Sequence, residues 1–164
     1  MPDLPGKVQR MLDRGHLREQ EFITEQVAGL WAKAVTSAGD AELPGLSVEG
    51  ALRAAYEAGH TAVLALLAAH GVKTASGRGH HEAAFAAAAA LEHEGLDDLV
   101  VDSSEIRSLR QSSLYDPAFT DEADRERAVA WMRRTLPAIR QALVSVDSTL
   151  ASRMENYPKS SEST

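Results

Sequence analysis

Between Val129 and Leu150 the apolar residues Val129, Met132, Leu136, Ile139, Leu143, Val146 and Leu150 step by three and four without a break. That spacing returns to one side of a helix turn after turn, whereas a strand would need alternation by two. The segment is predicted to be a long amphipathic helix, and such a stripe must be covered by other elements. Runs of Val, Ile, Thr and aromatic residues at two-residue spacing are not visible, while alanine and leucine, both strong helix formers, are abundant. The expected class is therefore all-α, with helices and no sheet. Pro137 lies inside the stripe, removes one backbone hydrogen bond and predicts a kink, at about 3 kcal/mol unless packing offsets it.

Other helices follow from punctuation and period. Val8, Met11 and Leu12 suit one or two turns ending near Gly15, and a first long helix is expected from Gln20 to Ala38, with Ile23, Val27, Leu30, Trp31 and Ala34 on one face and Gly39 as its stop. Ser47 is a candidate N-cap for a second, whose face Leu52, Tyr56, Gly59, Val63, Leu66 and His70 precedes the terminator Gly71. Ala55, Ala58, Gly59 and Ala62 leave little bulk on that helix, which predicts close approach by a neighbour and a central position. Thr74 to Gly79 reads as a loop and His80 to Glu94 as a third helix. Asp102 with Glu105 resembles a capping box opening a fourth, with Ile106, Leu109 and Leu114 on its buried side and an end before Pro117. Thr120, followed by Asp121 and Glu122, is expected to open the last helix.

The chain has 164 residues, which suits a single helical domain over 1–158 and a polar, disordered tail from Lys159 to Thr164. It contains no cysteine, so disulfides and thiolate metal sites are excluded and a cytoplasmic location is expected. The apolar run Ala62 to Ala69 is too short to span a bilayer, so no membrane association is expected. A net charge of −7 opposes general binding to phosphate backbones. Any RNA contact must then be local, and Arg107 and Arg110, three residues apart on one helix face, form a small cationic island. His60, His80 and His81, with Glu57 nearby, can meet between adjacent helices, but neither an HExxH pattern nor paired ligand spacing is present. The expectation is no metal and no cofactor, with His60 partly buried beside Tyr56, His80 or His81 capping the third helix, and Trp31 and Trp131 serving as core or interface anchors.

Three stretches, read in order, resemble the HEPN family of small helical domains, often encoded beside minimal nucleotidyltransferases and found in toxin–antitoxin pairs and RNA-cleaving defence systems. RAAYEAGHTAVLALLAAHG (Arg53 to Gly71) is similar to the family's central helix, GRGHHEAAF (Gly77 to Phe85) to the entry of the next, and IRSLRQSSLYDPAFTDEADRERAVAWMRRTL (Ile106 to Leu136) to the motif helix, its connector and the final helix. The resemblance covers Gln20 to Leu150. It implies a bundle of four or five helices, commonly a homodimer with the motif helices of two subunits facing each other.

In catalytic members an arginine is followed, after four to six residues, by a histidine. Here Arg110 stands in place but Tyr115 occupies the histidine position, and no histidine follows Arg110. The chemistry the resemblance implies is attack of a ribose 2′-hydroxyl on the adjacent phosphate, without a metal, which needs a base near neutrality and a cation for the charged phosphorane. Arg110 suits the cation. A phenol with a reference pKa near 10 is only about one part in a thousand ionised at pH 7, a poor base. The leading expectation is a noncatalytic or weakly catalytic module that binds RNA, a nucleotide or a nucleotidyltransferase partner through Arg107 and Arg110, Tyr115 either capping the bundle or accepting a nucleotide from that partner. The alternatives are an endoribonuclease toxin using Arg110 with Tyr115 or a histidine from elsewhere, and a structural interaction protein in which Arg110 merely pairs with Asp116, Asp121 or Glu122.

Overall fold

A computed structural model describes residues 3–116 and 120–157. Among these residues six α-helices run α1 Gly6–Asp13, α2 Thr24–Ala41, α3 Val48–Ala69, α4 His80–Ala90, α5 Asp97–Tyr115 and α6 Glu122–Val146, and a 3-10 turn follows at Ser148–Ser152. The class is all-α, as the residue pattern demands, with one correction. Strands β1 (Leu17–Glu19) and β2 (Val72–Thr74) form an antiparallel ribbon, Leu17 opposite Thr74 and Glu19 opposite Val72. Three residues are too few to show alternation, so the pairing left no period to read. The ribbon ties the α1–α2 connection to the segment after α3, and the Gln20 amide bond to the Gly71 carbonyl, 2.9 Å, extends it.

Helix α3 is the centre. It packs against α2, α4, α5 and α6, and its face from Leu52 through Ala55, Gly59, Ala62 and Leu66 is fully or almost fully buried. The small residues permit this closeness. At Gly59 a Cβ would stand 2.2 Å from Cη2 of Trp131, so the indole from α6 lies directly on the α3 backbone. The indole N–H of Trp131 donates to the Leu99 carbonyl at 2.9 Å, which brings α5 to the same point. Trp31, also fully buried, donates to the Glu155 carbonyl at 2.7 Å and holds the C-terminal turn over α2. The buried apolar side chains form one continuous cluster from Val8 to Met154.

Several boundaries moved from their expected places. Ser47 does cap α3, its Oγ accepting from the Gly50 amide at 3.0 Å, and Gly71 follows it with φ 73°. Helix α2, however, begins at Thr24 and passes through Gly39 to Ala41, because Ala38 and Ala41 face the core on either side of that glycine; Ile23, expected on the buried face, precedes the helix and is 44% exposed. Helix α4 stops at Ala90, where Glu92 adopts φ 61°, rather than at Glu94. Helix α5 opens at Asp97 instead of Asp102, since Asp97 and Asp98 already place two carboxylates in its first turn. Leu114 is 51% exposed, and Ser113 takes the buried position expected for it. The N-cap of α6 is Asp121 rather than Thr120, in a reciprocal box with Asp124 whose two bonds are both 3.1 Å. Helix α6 runs on through Pro137 to Val146, with Leu136, Ile139 and Leu143 buried. Leu150, expected in the same helix, is buried from the 3-10 turn instead. The tail from Lys159 to Thr164 lies outside the described residues.

His70, which caps the end of α3, and His93, between α4 and α5, meet Nε2 to Nε2 at 2.8 Å. One proton must bridge the two rings, so both cannot be charged while the contact lasts. Burial, then the neighbouring His93, lowers the pKa of His70 from 6.5 to about 4, and burial lowers that of His93 as well.

Two outcomes are expected. Helix propensity alone would favour Gly59→Ala by about 1 kcal/mol, but crowding of the rigid Trp131 ring costs about 1–3 kcal/mol or more, so the variant should unfold at lower denaturant. A higher midpoint would show that the indole can retreat. The depressed imidazoles bind protons more readily in the unfolded chain; their stabilising contribution is complete above the ordinary value of 6.5 and is lost as pH falls towards about 4. Melting temperature should decline through that window, and His70→Gln should flatten the decline.

Candidate functional site

The residues of interest come from three elements that α3 brings together. Tyr56 and His60 lie one turn apart on α3, with ring centroids 6.2 Å apart and planes 6° from parallel. From the first turn of α4, His81 stacks on His60 at 4.1 Å and 13°, and its Nδ1 lies 3.4 Å from the Tyr56 hydroxyl. Phe85, one turn later, stands 5.9 Å from the Tyr56 ring, and Trp131 closes the back of the column at 6.3 Å. Gly79, in the left-handed region at φ 79°, turns the chain into α4, and His80 Nδ1 meets the Gly77 carbonyl at 2.8 Å, so His80 closes that turn while His81 points inward.

Helix α5 supplies the cations. The Arg110 guanidinium carbon lies 5.5 Å from the Tyr56 ring centroid, a cation–π contact. Arg107 pairs with Glu82 of α4. The two arginines therefore do not form one surface patch: Arg107 turns towards α4, and Arg110 lies over the aromatic column. Among the described residues Arg110 makes no ion pair; Glu122, one of its expected partners, is held by Arg125 at 3.1 Å. The Arg110 Nε and His60 Nε2 atoms are both buried, without a hydrogen-bond partner among the described residues.

Burial and the two arginines divide the charge at this site. Burial raises the Tyr56 pKa against the pull of Arg107 and Arg110, so the phenol keeps its proton and can donate to His81. Burial chiefly, then the charges of His81, His80 and Arg110, brings His60 down to about 4. His81 is lowered too, first by burial and then by His80, Arg107 and Arg110, with Glu57 opposing. At neutral pH both imidazoles are uncharged and the positive charge resides on the arginines. The face-to-face stacking of His60 and His81 also sets their lone pairs side by side rather than converging, and among the described residues no three side chains form a metal-holding group.

In front of this column a cleft of about 340 Å³ opens between α3, α4 and α5. Tyr56, Phe85, Ala86 and Val100 form its apolar part, and Ser103, Ser104, Arg107, Ser108, Gln111 and Glu82 its polar part. The volume lies at the small end of ligand clefts, roughly 300–1,000 Å³. Of the residues marked out in the sequence, Arg107 lines this cleft and Arg110 abuts its Tyr56 wall. Tyr115 does neither. It is 90% exposed at the end of α5, five residues from Arg110 and thus about 140° away around the helix.

Tyr56, Glu82, Phe85 and the serines were not singled out for this role. The Tyr56–His60 spacing was visible, as were the polar residues Ser104, Arg107, Ser108 and Gln111, the last three standing three, four and seven places after the first along α5. What the sequence lacks is any sign that these two faces meet. The chain matches no protein-family model, no curated protein and no solved structure, so the geometry of this cleft is the ground on which its function is argued.

Proposed function

We propose that this protein is a HEPN-like module, noncatalytic or weakly catalytic, that binds RNA or a nucleotide through phosphate at the cleft of Arg107, with Arg110 beside it. The observation that carries the reading is the placing of two arginines against Tyr56 and two uncharged imidazoles, in a chain whose net charge is −7. Further support comes from where the three HEPN-like stretches lie. Arg53 to Gly71 supplies Tyr56 and His60, Gly77 to Phe85 supplies His81 and Glu82, and Ile106 to Leu136 supplies both arginines; all of them belong to the aromatic column or to the cleft in front of it.

A toxin–antitoxin or defence setting, a homodimer and a nucleotidyltransferase partner belong to the same proposal. Tyr115 presents its phenol to solvent, as an acceptor of a transferred nucleotide must. Val101, Leu114 and Tyr115, three large exposed apolar or aromatic side chains, all lie on α5, which supports that helix as a subunit interface. Cleavage of RNA is the second reading. It is favoured by His81, an uncharged imidazole within the influence of both arginines although it precedes them in the chain. Its lowered pKa makes it a weaker base than an ordinary histidine, which is why binding stands first.

The test is titration of a short single-stranded RNA and a nucleotide at low salt. Arg110→Ala should weaken binding about ten- to hundredfold, the equivalent of about 1.5–3 kcal/mol for a charge-assisted contact, with Arg110→Lys recovering part. Absence of binding by the parent protein at millimolar ligand would overturn the proposal. The same RNA incubated with a chelator reports on the second reading: products ending in a 2′,3′-cyclic phosphate, lost in His81→Gln, would move cleavage to first place. Light scattering should give twice 17.6 kDa, falling to the single-chain mass in Leu114→Glu.

A further inference from the structure

The cleft holds an anion already: a Glu82 carboxylate oxygen pairs with Nη1 of Arg107. Among the described residues that line the cleft Arg107 is the one cation, so an incoming anion must compete with that carboxylate. The competitor is loosely held. The Glu82 side chain is 73% exposed, and an exposed ion pair contributes only about 0–1 kcal/mol.

The serines add a second constraint. Ser103 donates to the Val100 carbonyl at 2.5 Å, Ser104 to Val101 at 2.8 Å and Ser108 to Ser104 at 3.0 Å. With their protons engaged along their own helix, the three hydroxyls offer lone pairs to the cleft, and these accept from hydroxyl or amino groups of a ligand. The fitting ligand thus has one anionic group, several donors and a flat apolar part for the wall of Tyr56 and Phe85. A nucleotide meets all three requirements.

We propose that the cleft takes the terminal phosphate monoester of a nucleotide, either free or at the end of an RNA, and that Glu82 is the carboxylate this monoester displaces from Arg107. This rests on the RNA- or nucleotide-binding reading above. A monoester carries a charge of about −1.5 to −2 at neutral pH and offers three unsubstituted oxygens, so it displaces a single carboxylate from the guanidinium fork. A diester carries one negative charge, as Glu82 does, and its substituents crowd both sides; it gains nothing by the exchange. The volume of about 340 Å³ suits one nucleotide rather than a strand.

The experiment is calorimetric titration of the full chain near pH 7.5 with a nucleoside 5′-monophosphate, its phosphate methyl ester, and one RNA oligonucleotide with and without a 5′-phosphate. The monophosphate should bind at least about tenfold more tightly than its methyl ester, a difference of about 1.4 kcal/mol. Arg107→Ala should abolish that preference. Glu82→Gln should strengthen the monophosphate by about two- to fivefold, the most an exposed pair holds back, without narrowing the preference. Its melting temperature, and that of Glu82→Ala as a second variant, should match the parent. Binding of the mononucleotide alone identifies a free nucleotide as the ligand; equal gain from the RNA 5′-phosphate identifies an RNA end. Equal binding of monoester and methyl ester, or a monophosphate affinity unchanged in both Glu82→Gln and Glu82→Ala, overturns the inference. If RNA still binds through Arg110 in that case, the broader reading survives; if no phosphate compound binds, both fall.

Discussion

The approach of the Trp131 ring to the Gly59 backbone is the contact on which the other arrangements depend. A side chain at position 59 would hold α6 away from α3, and the indole would then lose both its seat and its bond to the Leu99 carbonyl. Because that bond also locates α5, one glycine sets the relative position of three helices. The site inherits its form from this. Tyr56 is backed by Trp131, faces Phe85 and His81 from α4, and lies under Arg110 from α5, so each wall of the cleft is referred to the same indole.

Polar groups around this contact are arranged by burial more than by pairing. The histidines at the column and at the end of α3 are kept uncharged chiefly by burial, which at His81 outweighs the opposing charge of Glu57, and a protonated phenol lies between imidazole and guanidinium. Uncharged rings stack where charged ones would repel, which lets His60 and His81 approach within 4.1 Å. The arginines then provide fixed positive charge that does not depend on pH.

Much of the scaffold could be read from residues whose meaning is local. Ser47 and Gly71 bracket α3, and the apolar steps of the last helix locate its buried face, because capping and helical period are properties of neighbouring residues. Local signals also misled. Asp102 and Glu105 have capping-box spacing inside a helix that had already begun at Asp97, and Gly39 is carried inside α2 by flanking alanines that pack. The ribbon of Leu17 with Thr74 left no trace because it joins distant segments through backbone groups, which every residue type has. The same reason limited the site: Arg107 and Arg110 were visible as a pair on one helix, but their turning to Glu82 and Tyr56 depends on contacts across 25 and more residues of chain.

The two tryptophans sit at opposite ends of this organisation, each fully buried and each bonded through its indole N–H to a backbone carbonyl. Trp131 touches the aromatic column behind the cleft, and Trp31 lies beneath the C-terminal turn at Glu155. The protein therefore carries two built-in optical reporters with separate assignments. Light emitted by Trp131 registers what happens at the cleft and light emitted by Trp31 the seating of the segment at Glu155, so replacing Trp31 with phenylalanine would leave a single-colour record of the cleft without any attached dye.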